Sequence, residues 1–254
     1  MLASKNNKRQ AILEGKTKVF YQYQDLNHYI MHFKDDIELK NDKSGIISGK
    51  GVINNKINEL IMTRLNEAGL QTHFVKILNM KEQLVKITEV IPVKIVIRNV
   101  VAGSLSRKFD IVEGLVLNNP LIEYYYNESG NKHNLVSEEH ILTLGFANPF
   151  EFEEIRTIAL RVNDFLQGFF AAAGIRLIDF KLEFGRVIED DIYSTVIIDE
   201  ISPDTCRLWD IKTNEKLDKD RFKLDMEGVQ EAYREVAKRL GVLPSNINNV
   251  ETTN

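Results

Sequence analysis

The chain has 254 residues, and its 33 Lys and Arg against 37 Asp and Glu give a formal net charge of −4 at pH 7. Its 43% hydrophobic and 28% charged residues are close to the globular average, which excludes a wholly disordered chain and, with the mild acidity, a protein built to coat nucleic acid. The single cysteine, Cys206, excludes an intramolecular disulfide and a cysteine-based zinc cluster. No apolar run approaches the roughly 18 residues of a spanning helix. We therefore expect a cytoplasmic protein with no membrane or nucleic-acid partner.

The N-terminal third has the residue pattern of β-structure. The basic residues 1–11 have no apolar stretch behind them and are predicted to be a disordered tail. Val, Ile, Phe and Tyr are concentrated in residues 12–22 and 28–34, which predicts a hairpin. The glycine-bearing stretch 35–51 is predicted to be a mobile loop, and apolar residues at helical spacing predict a helix over 54–68.

Strands continue into the middle of the chain, over residues 74–78, 83–90 and 93–101, and Pro92 is expected to separate the last two. A β-rich lobe is therefore expected to precede a mixed α+β lobe. The predicted division is a disordered N-terminal tail (residues 1–11), the β-rich lobe (12–91), the α+β lobe (92–242) and a C-terminal tail (243–254).

The second lobe begins its helical part at an Asn-Pro pair, residues 148–149, which is a cap residue followed by proline at the first helical position. Apolar residues then recur every three or four positions until Gly174, which ends the helix. Strands are predicted over 175–184 and 192–200, and an amphipathic helix over 226–240.

The first of these two strands carries the most informative chemistry. Alternation places Asp179, Lys181 and Glu183 on one face. A three-residue turn centred on Asp190 would bring Asp199 opposite Lys181 and diagonal to Glu183. Two carboxylates so placed suit Mg²⁺, and a lysine between them can meet a phosphate. A solvated sheet face with salt bridges explains the same pattern, and the pattern alone favours it.

Two shorter segments could bind phosphate. Gly15 inside a strand pattern suggests close approach by a ligand, with Lys16 and Lys18 on one face, although a plain exposed hairpin is favoured. This is not a P-loop, which needs a second glycine before the lysine. Arg98 followed by Ser104 could hold a phosphate through guanidinium and hydroxyl, although an ordinary strand-to-helix turn explains the pattern too.

The loop at 199–210 crowds four carboxylates near Arg207 and the only tryptophan, Trp209, after a Ser-Pro-Asp turn that contains Asp204. Loops at strand ends often carry catalytic groups, but a structured turn packed around the tryptophan fits equally well. The five histidines are scattered without the spacing of metal ligands and are expected to be structural.

Taken in this order, the segments resemble one family. They are G-K-T-K from Gly15, a glycine before Asn54-Asn55, R-N-x-x-A-G-S from Arg98, D-F-K-L-E-F-G from Asp179 and D-E-x-S-P-D-x-x-R-L-W-D from Asp199. The chain resembles the SAICAR synthetase (phosphoribosylaminoimidazole-succinocarboxamide synthase) family of purine biosynthesis over about residues 12–242. The last two motifs are highly specific for that family.

The resemblance implies a two-lobed α+β fold whose β-rich N-terminal lobe binds ATP and is distantly like that of kinases, with a larger substrate and catalytic lobe. It implies an ATP-dependent ligase that joins the carboxylate of the imidazole nucleotide CAIR to the amine of L-aspartate through an acyl phosphate. It also implies Mg²⁺ and a homodimer or larger homo-oligomer. A kinase-like small-molecule phosphotransferase and a non-catalytic nucleotide-binding module are the alternatives.

The resemblance implies the residue roles, and it puts the adenine near residues 86–90, the connector between the lobes. The expected catalytic residues are Lys181, Glu183 and Asp199, of which Glu183 and Asp199 hold the metal. The expected ATP-binding residues are Gly15, Lys16, Lys18, Lys86, Val90 and Lys181. The expected substrate-binding residues are Arg98, Ser104, Asp179, Asp204 and Arg207.

The chain departs from the family pattern at three places. Lys94 stands where the family commonly has Glu. Asn127 and the sequence from His133 to Leu135 stand where a Lys and then an Asp-Pro pair are usual, and residues 37–42 lack the usual small residues. These changes are expected to tune aspartate or CAIR binding.

Overall fold

The computed structural model of the chain describes residues 9–38, 44–127, 133–189, 192–223 and 226–243. In chain order its first part contains β1 (Ala11–Glu14), β2 (Lys18–Gln22), β3 (His28–Phe33), β4 (Asp36–Glu38), β5 (Ser44–Ile46), α1 (Lys50–Glu67), β6 (Phe74–Asn79) and β7 (Glu82–Lys86). Five of these strands form an antiparallel sheet in the order β1-β2-β3-β7-β6, while β4 and β5 form a separate hairpin.

The second part is built around a larger antiparallel sheet. Its elements are β8 (Glu89–Val100), α2 (Ser104–Phe109), β9 (Val116–Asn127), β10 (His133–Val136), α3 (Glu138–Thr143), α4 (Pro149–Ala172), β11 (Ile175–Glu189), β12 (Ile192–Ile198), β13 (Cys206–Asp210), a 3₁₀ helix (Lys219–Lys223) and α5 (Met226–Arg239). The strands run β10-β9-β8-β11-β12, and β13 pairs with the other end of β11.

The long helix α4 forms as its local signals predict. The Asn148 side chain accepts a hydrogen bond from the backbone N–H of Glu151 at 2.9 Å, and Pro149 follows at the start of the helix. Gly174 ends the helix with a φ of 71°. The buried residues of α4 lie on one face, against β11, β8 and β12: Phe152, Ile155, Ala159, Val162, Asn163, Leu166 and Phe170.

Helix α1 begins at Lys50, four residues before the predicted start, and packs on β3, β6 and α5. Gly51 lies so close to β3 that a Cβ there would be 2.4 Å from the Phe33 carbonyl oxygen. The backbone N–H of Gly51 donates to Asp35 Oδ1 at 2.8 Å. The start of this helix is thus fixed by contacts with the sheet, which helical periodicity does not record.

Several predicted boundaries are wrong. The strand predicted over 12–22 is two strands, β1 and β2, and the loop predicted over 35–51 contains β4, β5 and the first residues of α1. Pro92 lies inside β8 and does not separate two strands. Between Val90 and Lys94 the register of β8 against β11 shifts, so the proline sits at a bulge, where its missing N–H removes no ladder hydrogen bond.

The predicted register of β11 and β12 is also wrong, by one residue. Glu189 pairs with Ile192, so two residues connect the strands instead of three. Glu183 therefore lies opposite Ile198, and Asp199 is not opposite Lys181.

Parts of the sequence predictions fall outside the described residues: the turn at 190–191, residues 39–42 of the unusual early segment, and the greater part of both predicted tails, 1–8 and 244–254. Within the described part, Ala11 already belongs to β1 and Arg9 is paired with Glu82 at 2.8 Å. No helix among the described residues is long and apolar enough to cross a membrane.

The two sheets are joined beside β12. Thr72 and Ile197 form a parallel bridge, the His73 N–H donates to the Ile197 carbonyl at 2.9 Å, and the Ile197 N–H donates to the Gln71 carbonyl at 2.9 Å. This junction brings the first sheet against the strand end that precedes Asp199.

Candidate active site

A cavity of about 340 Å³ opens between the two sheets. Its wall combines apolar side chains with charged ones. The residues predicted to bind ATP or metal that line it are Gly15, Lys16, Lys18, Lys86, Val90, Glu183 and Asp199. The structure thus brings together both predicted metal ligands and five of the six predicted ATP-binding residues.

The turn between β1 and β2 carries the lysine-rich motif to this cavity. The Gly15 N–H donates to the Lys18 carbonyl at 2.9 Å, which closes the turn. The Lys18 ammonium contacts Asp199 and lies 2.7 Å from Glu200 Oε1. Burial alone would lower the pKa of Lys18, but the two carboxylates outweigh it and raise the pKa above its usual range, so Lys18 stays charged.

Asp199 follows β12 in an unusual backbone conformation, with a φ of 65°. Strict alternation after Ile198 would point its side chain away from Glu183, but the left-handed residue breaks the alternation and both acids line the same cavity. The buried His73 holds the conformation, with Nε2 3.0 Å from the Asp199 carbonyl oxygen. Burial lowers the pKa of His73 to about 4, so the ring is neutral and Nε2–H donates to that carbonyl.

Glu183 lies beside Asp199. Burial and the neighbouring Asp199 charge raise the pKa of Glu183, while Lys94 Nζ lies 2.7 Å from its Oε1. Burial would also raise the pKa of Asp199, but Lys18 outweighs it and lowers that pKa. The two carboxylates therefore interact, and each has a lysine as its cationic partner.

This pair fits a divalent cation. Among the described residues there is no group of three or more His, Cys, Asp and Glu side chains that could hold a metal by itself. A cation held by Glu183 and Asp199 would take its remaining ligands from phosphate oxygens and water, and Mg²⁺ is commonly bound in this way.

A second polar cluster lies where β8, β11 and β13 meet. Arg98 Nη1 donates to Asp179 Oδ2 at 3.0 Å and Nη2 to Ser104 Oγ at 3.1 Å. Arg207 contacts the same Asp179 oxygen and donates from Nε to Asp220 Oδ2 at 2.6 Å. The structure thus brings together four of the five predicted substrate-binding residues, with both guanidinium groups held in place by carboxylates.

Gly103 makes room for this cluster. Its φ is 59° and its ψ is −115°, and a Cβ would be 2.8 Å from Arg207 Nη2. The R-N-x-x-A-G-S motif therefore forms the ordinary strand-to-helix turn and the polar cluster at once, since α2 begins at Ser104.

Lys181 lies between the two groups of charges. The pKa of Lys181 is lowered to about 8 by the charge of Lys219, by burial and by the charge of Lys94. The charge of Asp179 raises this pKa but does not outweigh them. Three lysines that repel one another in a partly buried place indicate a site for an anion.

Asp204 has other partners than the arginine cluster. Its Oδ1 accepts from the Tyr233 hydroxyl, and its Oδ2 accepts from Asn54 at 2.9 Å and from the buried Lys50. Its carboxylate thus ties α1 and α5 to the loop before β13, and its hydrogen bonds go to neither Arg98 nor Arg207.

Several residues of the site are not indicated by the sequence patterns. Their places depend on contacts with residues that are distant in the sequence. The missed residues are His73, Glu123, Lys219 and Asp220, with Lys94 noted only as a departure.

Comparisons with known proteins agree with these motifs. The model of the SAICAR synthetase family matches residues 11–240. The chain is 52% identical over 241 residues to a phosphoribosylaminoimidazole-succinocarboxamide synthase of Sinorhizobium medicae, covering 94% of this chain and 95% of that protein. It is 53% identical over 239 residues to the synthase of Zymomonas mobilis, covering 94% and 92%.

Solved structures show the same fold. The crystal structure of the synthase from Ehrlichia chaffeensis superimposes with a TM-score of 0.89 at 44% identity, covering 92% of this chain and 100% of that one. A SAICAR synthetase in complex with ADP superimposes with a TM-score of 0.85 at 37% identity, covering 92% and 99%. The predicted α+β fold of this family is confirmed.

Proposed function

The chain belongs to the SAICAR synthetase family, and we propose that it carries out the family's reaction at the cavity between its two sheets and the adjoining arginine cluster. It is an ATP-dependent ligase of purine biosynthesis that joins the CAIR carboxylate to the amine of L-aspartate, giving SAICAR, ADP and phosphate. Membership of the family favours this ligase over a kinase-like phosphotransferase and over a non-catalytic nucleotide-binding module.

The chemistry sets what the residues have to do. An amine does not displace oxide from a carboxylate at a useful rate, so a carboxylate oxygen of CAIR first attacks the γ-phosphorus of ATP and ADP leaves. The aspartate amine then attacks the acyl carbon, loses a proton, and phosphate leaves. The protein's contribution is to position the reactants and to neutralise charge.

ATP is assigned to the cavity and its lysine-rich rim. Apolar side chains, among them Leu13, Phe20 and Val85, offer a surface for the adenine beside the connector between β7 and β8. Lys16 and Lys18 on the turn between β1 and β2 would meet the phosphates. The N-terminal lobe, residues 12–91, is accordingly proposed as the nucleotide-binding lobe.

Glu183 and Asp199 would hold Mg²⁺ and thereby bring it to the phosphates. Bound there, the cation neutralises phosphate charge and orients the transferred group. Lys181 lies between this acid pair and the arginine cluster, where its ammonium group would face the transferred phosphoryl group.

The arginine cluster is assigned to the phosphate of CAIR. Arg98 and Arg207 supply guanidinium donors and Ser104 a hydroxyl, the usual donors to a phosphate. Asp179 holds both guanidinium groups and would also contact the polar groups of the same substrate. The predicted contact of Asp204 with CAIR receives no support from its hydrogen bonds, which go to Lys50, Asn54 and Tyr233.

The observation that carries the assignment is that Glu183, Asp199 and Lys18 line one cavity. Lys181 is close enough to Lys94 on one side and to Asp179 and Arg207 on the other for their charges to act on it. The test measures ADP release and SAICAR formation. Asp199→Asn is expected to lower kcat at least 100-fold with the fold intact, and Arg207→Ala to raise KM for CAIR far more than KM for ATP. A near-normal rate with Mg²⁺ in the first variant, or the reverse KM pattern in the second, would contradict the assignment.

We also propose that the protein acts in the cytoplasm and forms a homodimer or larger homo-oligomer. A single cysteine, Cys206, allows no intramolecular disulfide, which is typical of a protein in a reducing compartment. Large apolar side chains are exposed around α2, including Phe109 and Val112, and such surface favours association. Light scattering after gel filtration measures the oligomeric state.

A further inference from the structure

Each of the two proposed metal ligands is already paired with a lysine. Lys94 and Glu183 are opposite each other on β8 and β11, with Nζ 2.7 Å from Oε1. Lys18 contacts Asp199 on the other side. A divalent cation that approaches these carboxylates meets two ammonium groups, and like charges in a partly buried site repel strongly.

The two lysines are held differently. Lys18 is shared between Asp199 and Glu200, and the buried Glu200 is fixed by the Ser202 hydroxyl. Lys18 therefore keeps a carboxylate partner when Asp199 turns to a metal ion.

Lys94 has a different surrounding. Its charge is one of those that lower the pKa of Lys181, so the two ammonium groups repel each other. When Glu183 passes to a metal ion, Lys94 loses the ion pair that offsets this repulsion. An anion that arrives together with the metal would restore the balance.

The charges show which anion is needed. The carboxylates of Glu183, Asp199 and Glu200 balance the ammonium groups of Lys18, Lys94 and Lys181. A divalent cation alone would therefore leave this group with two excess positive charges. A nucleoside polyphosphate brings negative charge in excess of that of its metal ion, and the long stem of Lys94 can carry the ammonium from a carboxylate to a phosphate oxygen.

We infer that Lys94 makes tight binding of the divalent cation dependent on the nucleotide. In the nucleotide-free protein the Lys94 ammonium neutralises Glu183 and weakens binding of the metal. When the polyphosphate binds, Lys94 turns to it and Glu183 is released to the metal. By linkage, the factor by which nucleotide strengthens metal binding equals the factor by which metal strengthens nucleotide binding. This inference rests on the proposed metal site.

The experiment titrates Mn²⁺ into the full-length protein and follows free Mn²⁺ by electron paramagnetic resonance, with and without a non-hydrolysable ATP analogue. In the wild type, the analogue is expected to strengthen Mn²⁺ binding to the protein at least tenfold. Lys94→Met is expected to strengthen nucleotide-free binding about tenfold, while Lys94→Arg, which keeps the charge, leaves it weak. Lys76→Met removes an exposed lysine on β6 and controls for net charge.

The outcomes distinguish the proposed role of Lys94 from the proposed metal site. If Lys94→Met binds Mn²⁺ within twofold of wild type without nucleotide, or no more tightly than Lys76→Met, the role of Lys94 is wrong. Glu183→Gln and Asp199→Asn test the metal site itself. If they leave Mn²⁺ binding with the analogue unchanged, the proposed metal site fails. If they abolish it and Lys94→Met has no effect, only the Lys94 inference fails. Circular dichroism melting verifies that each variant is folded.

Discussion

Replacing Gly103 with alanine tests the geometry of the proposed CAIR phosphate site without removing any of its charged groups. The new Cβ would lie 2.8 Å from Arg207 Nη2 and 3.2 Å from Cζ. Contacts between such atoms are normally about 3.5 Å or more, so the guanidinium has to move by about 0.7 Å. Arg207 is held by Asp179 and, at 2.6 Å, by Asp220, and this movement would strain both ion pairs.

Two costs can be separated. A φ of 59° with a ψ of −115° is unfavourable for alanine by about 1–3 kcal/mol, which reduces the free energy of unfolding. Displacement of Arg207 weakens a charge-assisted hydrogen bond to the substrate, which is worth about 1.5–3 kcal/mol. Since each 1.4 kcal/mol is about tenfold, KM for CAIR is expected to rise roughly 10- to 100-fold while KM for ATP changes little.

The assay is steady-state ADP release with each substrate varied in turn, together with urea unfolding. Gly145→Ala is the matched control, because Gly145 has a φ of 71° but nothing within 4 Å of the added Cβ. That variant should lose stability without a change in KM. The reasoning is refuted if folded Gly103→Ala keeps its KM for CAIR within twofold of wild type, or if both variants raise this KM equally.

Two further predictions concern charge and packing. The charge of Lys219 is the largest cause of the lowered Lys181 pKa of about 8. The wild-type kcat/KM is therefore expected to fall above pH 8 as Lys181 loses its proton. Lys219→Met is expected to move this fall to higher pH. An unchanged pH profile would contradict it. Gly51→Ala is expected to lower the free energy of unfolding by about 1–3 kcal/mol, because its Cβ meets the Phe33 carbonyl oxygen. Gly168→Ala, inside α4 with nothing nearby, should slightly raise it in the same urea titration.

The features that could be predicted from the sequence are those set by local signals. Helix α4 is bounded by Asn148 and Gly174 because a cap side chain and a left-handed glycine act within one turn. The charged face of β11 follows from alternation, with Phe180 and Leu182 buried in the core between the charged positions.

The predictions are wrong where contacts between residues distant in the sequence determine the local structure. Pro92 does not break a strand because it lies at a bulge in the pairing of β8 with β11. The residues next to Pro92 in the sequence do not indicate that bulge. The start of α1 depends on the fit of Gly51 against β3, and the hairpin of β4 and β5 occupies a stretch whose composition is that of a loop. Lys50 forms a buried ion pair with Asp204, which is 154 positions away in the sequence.

The pairing of Glu183 with Asp199 is the instructive case, because the prediction reached the right neighbours by a wrong register. The observed register alone would place the two acids on opposite faces of the sheet. The positive φ of Asp199 turns its side chain back to the cavity that Glu183 lines. His73, which directly precedes β6 of the other sheet, holds that conformation. The acid pair is therefore a property of the junction between the two lobes. For that reason strand patterns could indicate which residues form the site but not how they come to face one cavity.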